Sequence, residues 1–287
     1  MSTDAPTAGA AAYARNMPLL AVPGAELAYD ADGPVSAPAL VLLHSGVATM
    51  RMWDPQLPEL TRTHRVIRLD LRGFGATTHE DVPYSNRADV RAVMDHLAVP
   101  SATIVGAGRG ATIALDLALE SPDRVDGLVL IGGGPSGFAR SALTEDEHRR
   151  FDQLDAAADA GDRHALLRLE TGLWAAGAHR LESDLDPDFV AFAHELAAAN
   201  AGQPEGVGTA EPLQPPAVDR LSELTVPALV MVGEYDLSPA RAQYAHLLEA
   251  LPDATGFCFQ DAAHLPNLEH PAEFAHVVLD WLAERGL

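Results

Sequence analysis

Six short apolar runs, each of buried-strand length and separated by helix-like stretches, constrain this chain more than any other feature. They are Ala39-Leu-Val-Leu-Leu43, His64-Arg-Val-Ile-Arg-Leu-Asp70, Thr103-Ile-Val105, Val125-Asp-Gly-Leu-Val-Leu-Ile131, Val226-Pro-Ala-Leu-Val-Met-Val232 and Gly256-Phe-Cys-Phe-Gln260. Runs that are apolar throughout, instead of at alternate positions, belong to strands covered on both faces. Their alternation with helices predicts an α/β fold, a mostly parallel sheet flanked by helices. With 287 residues the chain can bury such a core without disulfide staples, and its single cysteine, Cys258, could form none within the chain. Cys258 is expected to be buried and inert.

The strand rhythm breaks between about Pro135 and Arg220. Thr144-x-x-Glu147 has the form of a capping box opening a helix. A second helix is expected over 162–176, and a third starts at Asp186 with Pro187 in its first turn and reaches Asn200. The stretch 203–219, with Pro204, Pro212, Pro215 and Pro216, is expected to be a loop. The division that follows is a loose N-terminal tail over 1–17, a core over 18–134 and 221–287, and an inserted helical cap over 135–220.

Charge excludes several function classes. There are 41 acidic and 19 basic residues, a net charge of −22, and every basic residue is an arginine. Without lysine, neither a Schiff-base nor a P-loop lysine is available. So acidic a surface repels phosphate backbones and anionic lipids, so neither nucleic acid nor a membrane is an expected partner. The N-terminus lacks a basic segment followed by an apolar one, and no run approaches the ~18 apolar residues of a membrane span. A cytoplasmic protein is the expectation. The histidines show no short His-x-His pair, and His194-Glu195 lacks a second histidine four residues on, so no metal is expected.

The chemistry concentrates where strands end, the edge at which parallel sheets gather ligand sites. After the first run comes Leu43-His44-Ser45-Gly46-Val47, a loop of small residues able to turn backbone N–H groups toward an oxyanion. His44 and Ser45, with Trp53 and Trp174, are candidate pocket residues, although packing is the preferred account of Ser45, Trp53 and Trp174. After the third run, Val105-Gly106-Ala107-Gly108-Arg109-Gly110-Ala111 forms a strand–tight turn–helix. Gly106-x-Gly108-x-x-Ala111 fits a dinucleotide fingerprint with Asp126 twenty residues on. That acid, however, opens its strand, whereas a ribose partner sits at the strand's end, where Ile131-Gly-Gly-Gly134 offers no carboxylate. The turn also fits a nucleophile elbow, G-x-S-x-G, with Gly108 at the nucleophile's position. A carboxylate and an imidazole follow in the expected order: Gly233-Glu-Tyr-Asp236 after the fifth run, and Asp261-Ala-Ala-His264 after the sixth. Glu234 and Asp261 are expected to face solvent, and Asp70 and Arg72 to tie down a turn.

These blocks, with Leu42-Leu-His-Ser-Gly46, Met52-Trp-Asp-Pro-Gln56 and Asp70-Leu-Arg-Gly-Phe-Gly75, resemble the α/β-hydrolase superfamily over most of the chain, from Leu40 to Leu282. They are most similar to its small esterases and lactonases, typified by the 3-oxoadipate enol-lactonases. The resemblance implies an α/β-hydrolase fold with an inserted helical cap and no cofactor. It implies Asp236 as the acid, His264 as the base, and the backbone N–H groups of Gly46 and Arg109 as the oxyanion hole. The departure is at Gly108, where the family carries Ser, Asp or Cys. No acyl- or alkyl-enzyme can form on glycine.

The expected function is an enzyme acting on a small, largely apolar ester, lactone or ketone-type molecule. His264, oriented by Asp236, would activate a water lodged in the gap left by the missing serine, or take a proton from the substrate itself. The first route is hydrolysis without a covalent intermediate, and the second is lyase, cyclase or isomerase chemistry. Two further options stay open: a ligand-binding pseudoenzyme with a relic His–Asp pair, and an engineered exchange of an elbow serine for Gly108 to trap substrate. Ser45 as a substitute nucleophile is a lesser alternative. The partner is a small-molecule substrate, and the assembly, monomer or homodimer, is left open.

Overall fold

The computed structural model describes residues 17–139, 141–200, 203 and 208–287. The expected tail lies, apart from Met17, outside them, as does Pro204. Among the described residues nine strands form one sheet: β1 (Leu19–Val22), β2 (Ala25–Asp32), β3 (Ala39–Leu43), β4 (Arg65–Leu69), β5 (Thr78–His79), β6 (Ala102–Ala107), β7 (Val125–Ile131), β8 (Ala228–Gly233) and β9 (Ala254–Phe259). Their order is β1-β2-β4-β3-β6-β7-β8-β9, with β5 beside β2. From β4 to β9 every pairing is parallel, and β2 runs antiparallel to both β1 and β4.

The apolar runs fill two layers because successive side chains point to opposite faces of a strand. Val41, Leu43, Ile104, Leu128 and Val230 join one buried cluster, while Leu40, Leu42, Val105, Val129 and Leu229 join the other. The first is covered by α1 (Asn86–His96), α2 (Arg109–Glu120) and α6 (Ser238–Ala250), and the second by α7 (Pro271–Arg285) and the 3-10 segment Met50–Gln56. Trp53 belongs to this second layer. Fully buried and 6.1 Å from the Phe274 ring, it is core and does not line the pocket proposed for it.

Between β7 and β8 lie α3 (Glu145–Asp159), α4 (Arg163–Ala176) and α5 (Pro187–Ala198). Thr144 and Glu147 form the full capping box, and the Asp162 and Asp186 carboxylates cap the next two helices. Each satisfies backbone N–H groups that the first turn leaves without partners.

The hairpin β1–β2 lies outside the six apolar runs. One expectation fails here: Cys258 is exposed. Cys258 lies on β9, the edge strand beyond β8, so one flank of the strand has no neighbour to cover it. Burial still pushes its thiol pKa up, with Glu234 adding to the shift. No helix among the described residues is long and apolar enough to cross a membrane.

Candidate active site

A single residue, Gly108, joins β6 to α2, at φ 51° and ψ −113°. Side chains rarely tolerate this left-handed geometry, and it makes the turn sharp. The Gly108 N–H donates to the Ile131 carbonyl at 2.7 Å, and its own carbonyl accepts from the Ala111 N–H at 3.1 Å. A Cβ on Gly106 would collide with the Gly110 backbone, and one on Gly110 with the Leu43 carbonyl. Both glycines are therefore required by the close approach of strand and helix.

The loops after β8 and β9 bring Asp236 and His264 together. The His264 Nδ1 lies 3.0 Å from each carboxylate oxygen of Asp236, and Asp236 Oδ1 also accepts from the Leu237 N–H at 2.8 Å. With its Nδ1–H given to the carboxylate, the neutral ring keeps Nε2 as an acceptor. That nitrogen faces the elbow: a Cβ on Gly108 would sit 3.0 Å from it and 2.9 Å from Ser45 Oγ. Ser45 and His264 thus flank the gap at the turn from two sides. The gap opens into a cavity of about 310 Å³ whose lining includes Ser45, Gly46, Arg109, Phe151, Trp174 and His264.

Trp174, on α4, stands over the imidazole with ring centroids 4.4 Å apart, and its carbonyl accepts the His264 N–H at 3.3 Å. The helical segment thus touches the histidine directly. His44 does not line the cavity. It is fully buried, its Nε2 accepting from the Leu71 N–H at 2.9 Å and its Nδ1 donating to the Ser45 carbonyl at 2.8 Å. Burial lowers its pKa to about 4, Arg109 adding to the shift, while the Ser45 hydrogen bond opposes it. The Ser45 carbonyl also accepts from the Ala48 N–H at 3.1 Å. In a planar trans peptide, fixing that carbonyl turns the Gly46 N–H the opposite way. Neither this N–H nor that of Arg109 meets an acceptor among the described residues. A Cβ on Gly46 would lie 3.9 Å from the Arg109 Cβ, so the two residues face each other.

Asp70 and Arg72 are structural, as expected. Asp70 accepts from the N–H groups of Met50 and Ala76, and Arg72 pairs with Asp89 through two 2.8 Å hydrogen bonds. Asp261 is exposed and Glu234 half-buried. Sequence reasoning missed Gly132, where a Cβ would lie 3.0 Å from Asp236 Oδ2 and from His264 Cε1 and Nδ1. The available signal was Gly132-Gly-Gly134 itself, at a strand end where no carboxylate was found. It also missed Arg180, whose guanidinium holds Glu269 at 2.6 and 3.1 Å, bonds the Asp261 carbonyl and lies 5.0 Å from the Tyr235 ring.

The sheet order, the strained elbow and a His–Asp pair delivered by the loops after the last two strands define the α/β-hydrolase class. The chain belongs to the α/β-hydrolase-fold family, whose pattern matches residues 38–271. A Variovorax paradoxus protein assigned as the carbamate hydrolase RutD is 32% identical over 269 residues, covering 90% of this chain and 96% of that one. The 3-oxoadipate enol-lactonase 2 of Acinetobacter baylyi is 28% identical, covering 88% and 91%. The solved enol-lactonase of Burkholderia xenovorans superposes with a TM-score of 0.70 at 28% identity, covering 93% of this chain and all of that one. The chain is thus an α/β hydrolase homologous to lactonases and other hydrolases.

Proposed function

We propose that this enzyme acts on a small, largely apolar ester, lactone or ketone-type molecule, with the His264–Asp236 pair as general base and no side-chain nucleophile at position 108. The observation that carries this reading is the His264 Nε2, held by Asp236 on its other side and aimed 3.0 Å from where a Gly108 Cβ would stand. In hydrolysis, Nε2 takes a proton from water as the water oxygen bonds to the carbonyl carbon. The displaced π electrons form an oxyanion, which the Gly46 and Arg109 N–H groups stabilise. Collapse expels the alkoxide, which receives its proton from the imidazolium. With a ketone-type substrate, the same nitrogen removes a proton beside the carbonyl and the same N–H groups hold the enolate. The helical segment 135–220 serves as the cap, with Trp174 and Phe151 as its contribution to the cavity.

The test compares turnover of activated esters and lactones by the native chain, Gly108→Ser and His264→Ala, with intact-mass detection of a fluorophosphonate adduct. Expected are native turnover without an adduct, loss of turnover in His264→Ala, and an adduct in Gly108→Ser. A native adduct on Ser45 would overturn the nucleophile-free route. Turnover that survives His264→Ala would remove the base.

A further inference from the structure

Glu147, in the first turn of α3, is 3% exposed, the one buried glutamate among the described residues. Its two oxygens accept from backbone donors that belong to different parts of the molecule. Oε2 takes the Thr144 N–H at 2.7 Å, which closes the capping box of α3, and Oε1 takes the Ser238 N–H at 2.5 Å. Ser238 is the first residue of α6, in the core, and only Leu237 separates it from Asp236. This second bond is no part of a capping box. A helix leaves its first N–H groups without internal acceptors, and the N-cap side chain ordinarily takes one. In α6 the N-cap is Leu237, whose side chain makes no such bond. Glu147 does so from another helix, and one carboxylate closes the N-termini of both α3 and α6. Negative charge is favoured where helix N-termini converge. Burial works against that charge, but the hydrogen bonds from Ser238 and Thr144 outweigh it and lower the Glu147 pKa from its usual value.

We propose that Glu147 is a positioning residue for the Asp236–His264 pair: from the inserted helical segment it fixes the start of α6 and, through Leu237, the carboxylate that orients the imidazole. The inference rests on the assignment of that pair as the reacting groups. The contacts are continuous. Glu147 holds the Ser238 N–H, the neighbouring Leu237 N–H donates to Asp236 Oδ1 at 2.8 Å, and that carboxylate meets His264 Nδ1 at 3.0 Å. Glu147, Asp236 and Ser238 also border a cavity of about 260 Å³, so the loop has room to shift on that side once the bond is released. Both partners of Glu147 are donors. An isosteric glutamine therefore fails, because its oxygen serves one N–H while its NH2 group faces the other.

Amide hydrogen exchange resolved at Leu237, with steady-state kinetics on activated esters and lactones, tests this in the full chain. The variants are Glu147→Gln, Ser238→Pro, the two combined, and Thr144→Ala. Ser238→Pro removes the donor from the other end of the bond. Proline suits the first position of a helix, and Leu237, at φ −60° and ψ 150°, already has the conformation of a residue before proline. In each of these two single variants, exchange at Leu237 should quicken about tenfold or more. Their kcat should fall roughly ten- to a hundredfold with KM within about threefold, since the base moves while the cavity walls stay. The combined variant should lose no more than either alone, because both break one bond. Thr144→Ala weakens the α3 cap but keeps the Ser238 bond, so it should lower the melting temperature with native Leu237 exchange and native kcat. Native exchange at Leu237 in Glu147→Gln, additive losses in the combined variant, or an equal fall of kcat in Thr144→Ala would overturn the proposal and leave Glu147 an ordinary helix cap. A native chain without turnover would remove the reacting pair, whereas Leu237 exchange reads the hold on Asp236 with or without turnover, so the two failures are separable.

Discussion

The His264 Nε2 points at a side chain that Gly108 does not have: a Cβ there would stand 3.0 Å away, at the tight limit of contact, with Ser45 Oγ 2.9 Å away on another side. Gly108 therefore leaves the imidazole facing the cleft directly. Because the residue sits at φ 51°, any side chain adds strain to this crowding. Gly108→Ala is expected to destabilise the fold by about 1–3 kcal/mol, read as a lowered denaturation midpoint. An unchanged midpoint would mean that Ser45 and the elbow relax freely.

Gly132 carries the same pair from beneath. A Cβ there meets Asp236 and His264 at 3.0 Å, and the residue has φ 57°. Gly132→Ala should cost about 1–3 kcal/mol and reduce turnover far more than KM changes, because it displaces the base while leaving the cavity walls intact. Thermal melts and steady-state kinetics together check this; a stability loss with native kcat would show that the loops yield without moving the imidazole.

His44 makes the fold acid-sensitive. Its pKa is 6.5 when exposed and about 4 when folded, so between these values the unfolded chain binds the extra proton. Stability from this group is complete above pH 6.5 and drains away as pH falls to about 4, on the order of 2–3 kcal/mol in all. Urea midpoints measured across this range should fall more steeply for the native chain than for His44→Gln. Parallel pH profiles would refute the assignment.

Arg180 fastens the histidine loop to the helical segment. Its partner Glu269 is nearly buried and also accepts the Ala263 N–H at 3.1 Å, one residue before His264. Arg180→Ala leaves that carboxylate uncompensated and is expected to cost roughly 2–4 kcal/mol, with Arg180→Lys recovering part. Denaturant titration of the two variants decides it; equal stability of Arg180→Ala and the native chain would reduce the bridge to a surface contact.

The layered sheet was legible because strands buried on both faces must be apolar at every position, as Ala39–Leu43 and Ala228–Gly233 are. Three helix starts in the inserted segment were equally legible, since Thr144, Asp162 and Asp186 cap through local hydrogen bonds that need no distant partner. The hairpin β1–β2 was passed over: its strands are half-buried, and its signal was the Pro23-Gly24 turn between them.

By itself the sequence determined the six strands from β3 to β9 apart from β5, the helix starts between β7 and β8, the glycine elbow and which residues stand at those strand ends, because each is written in local periodicity, backbone freedom and capping chemistry. Only the tertiary structure decided where side chains point. It sent Trp53 into the core and His44 beneath the Ser45 carbonyl, left Cys258 on an open edge, and made Gly132 the floor under Asp236 and His264. Such outcomes depend on which distant segments meet across the sheet, and contacts of that kind leave no mark in the spacing of neighbouring residues.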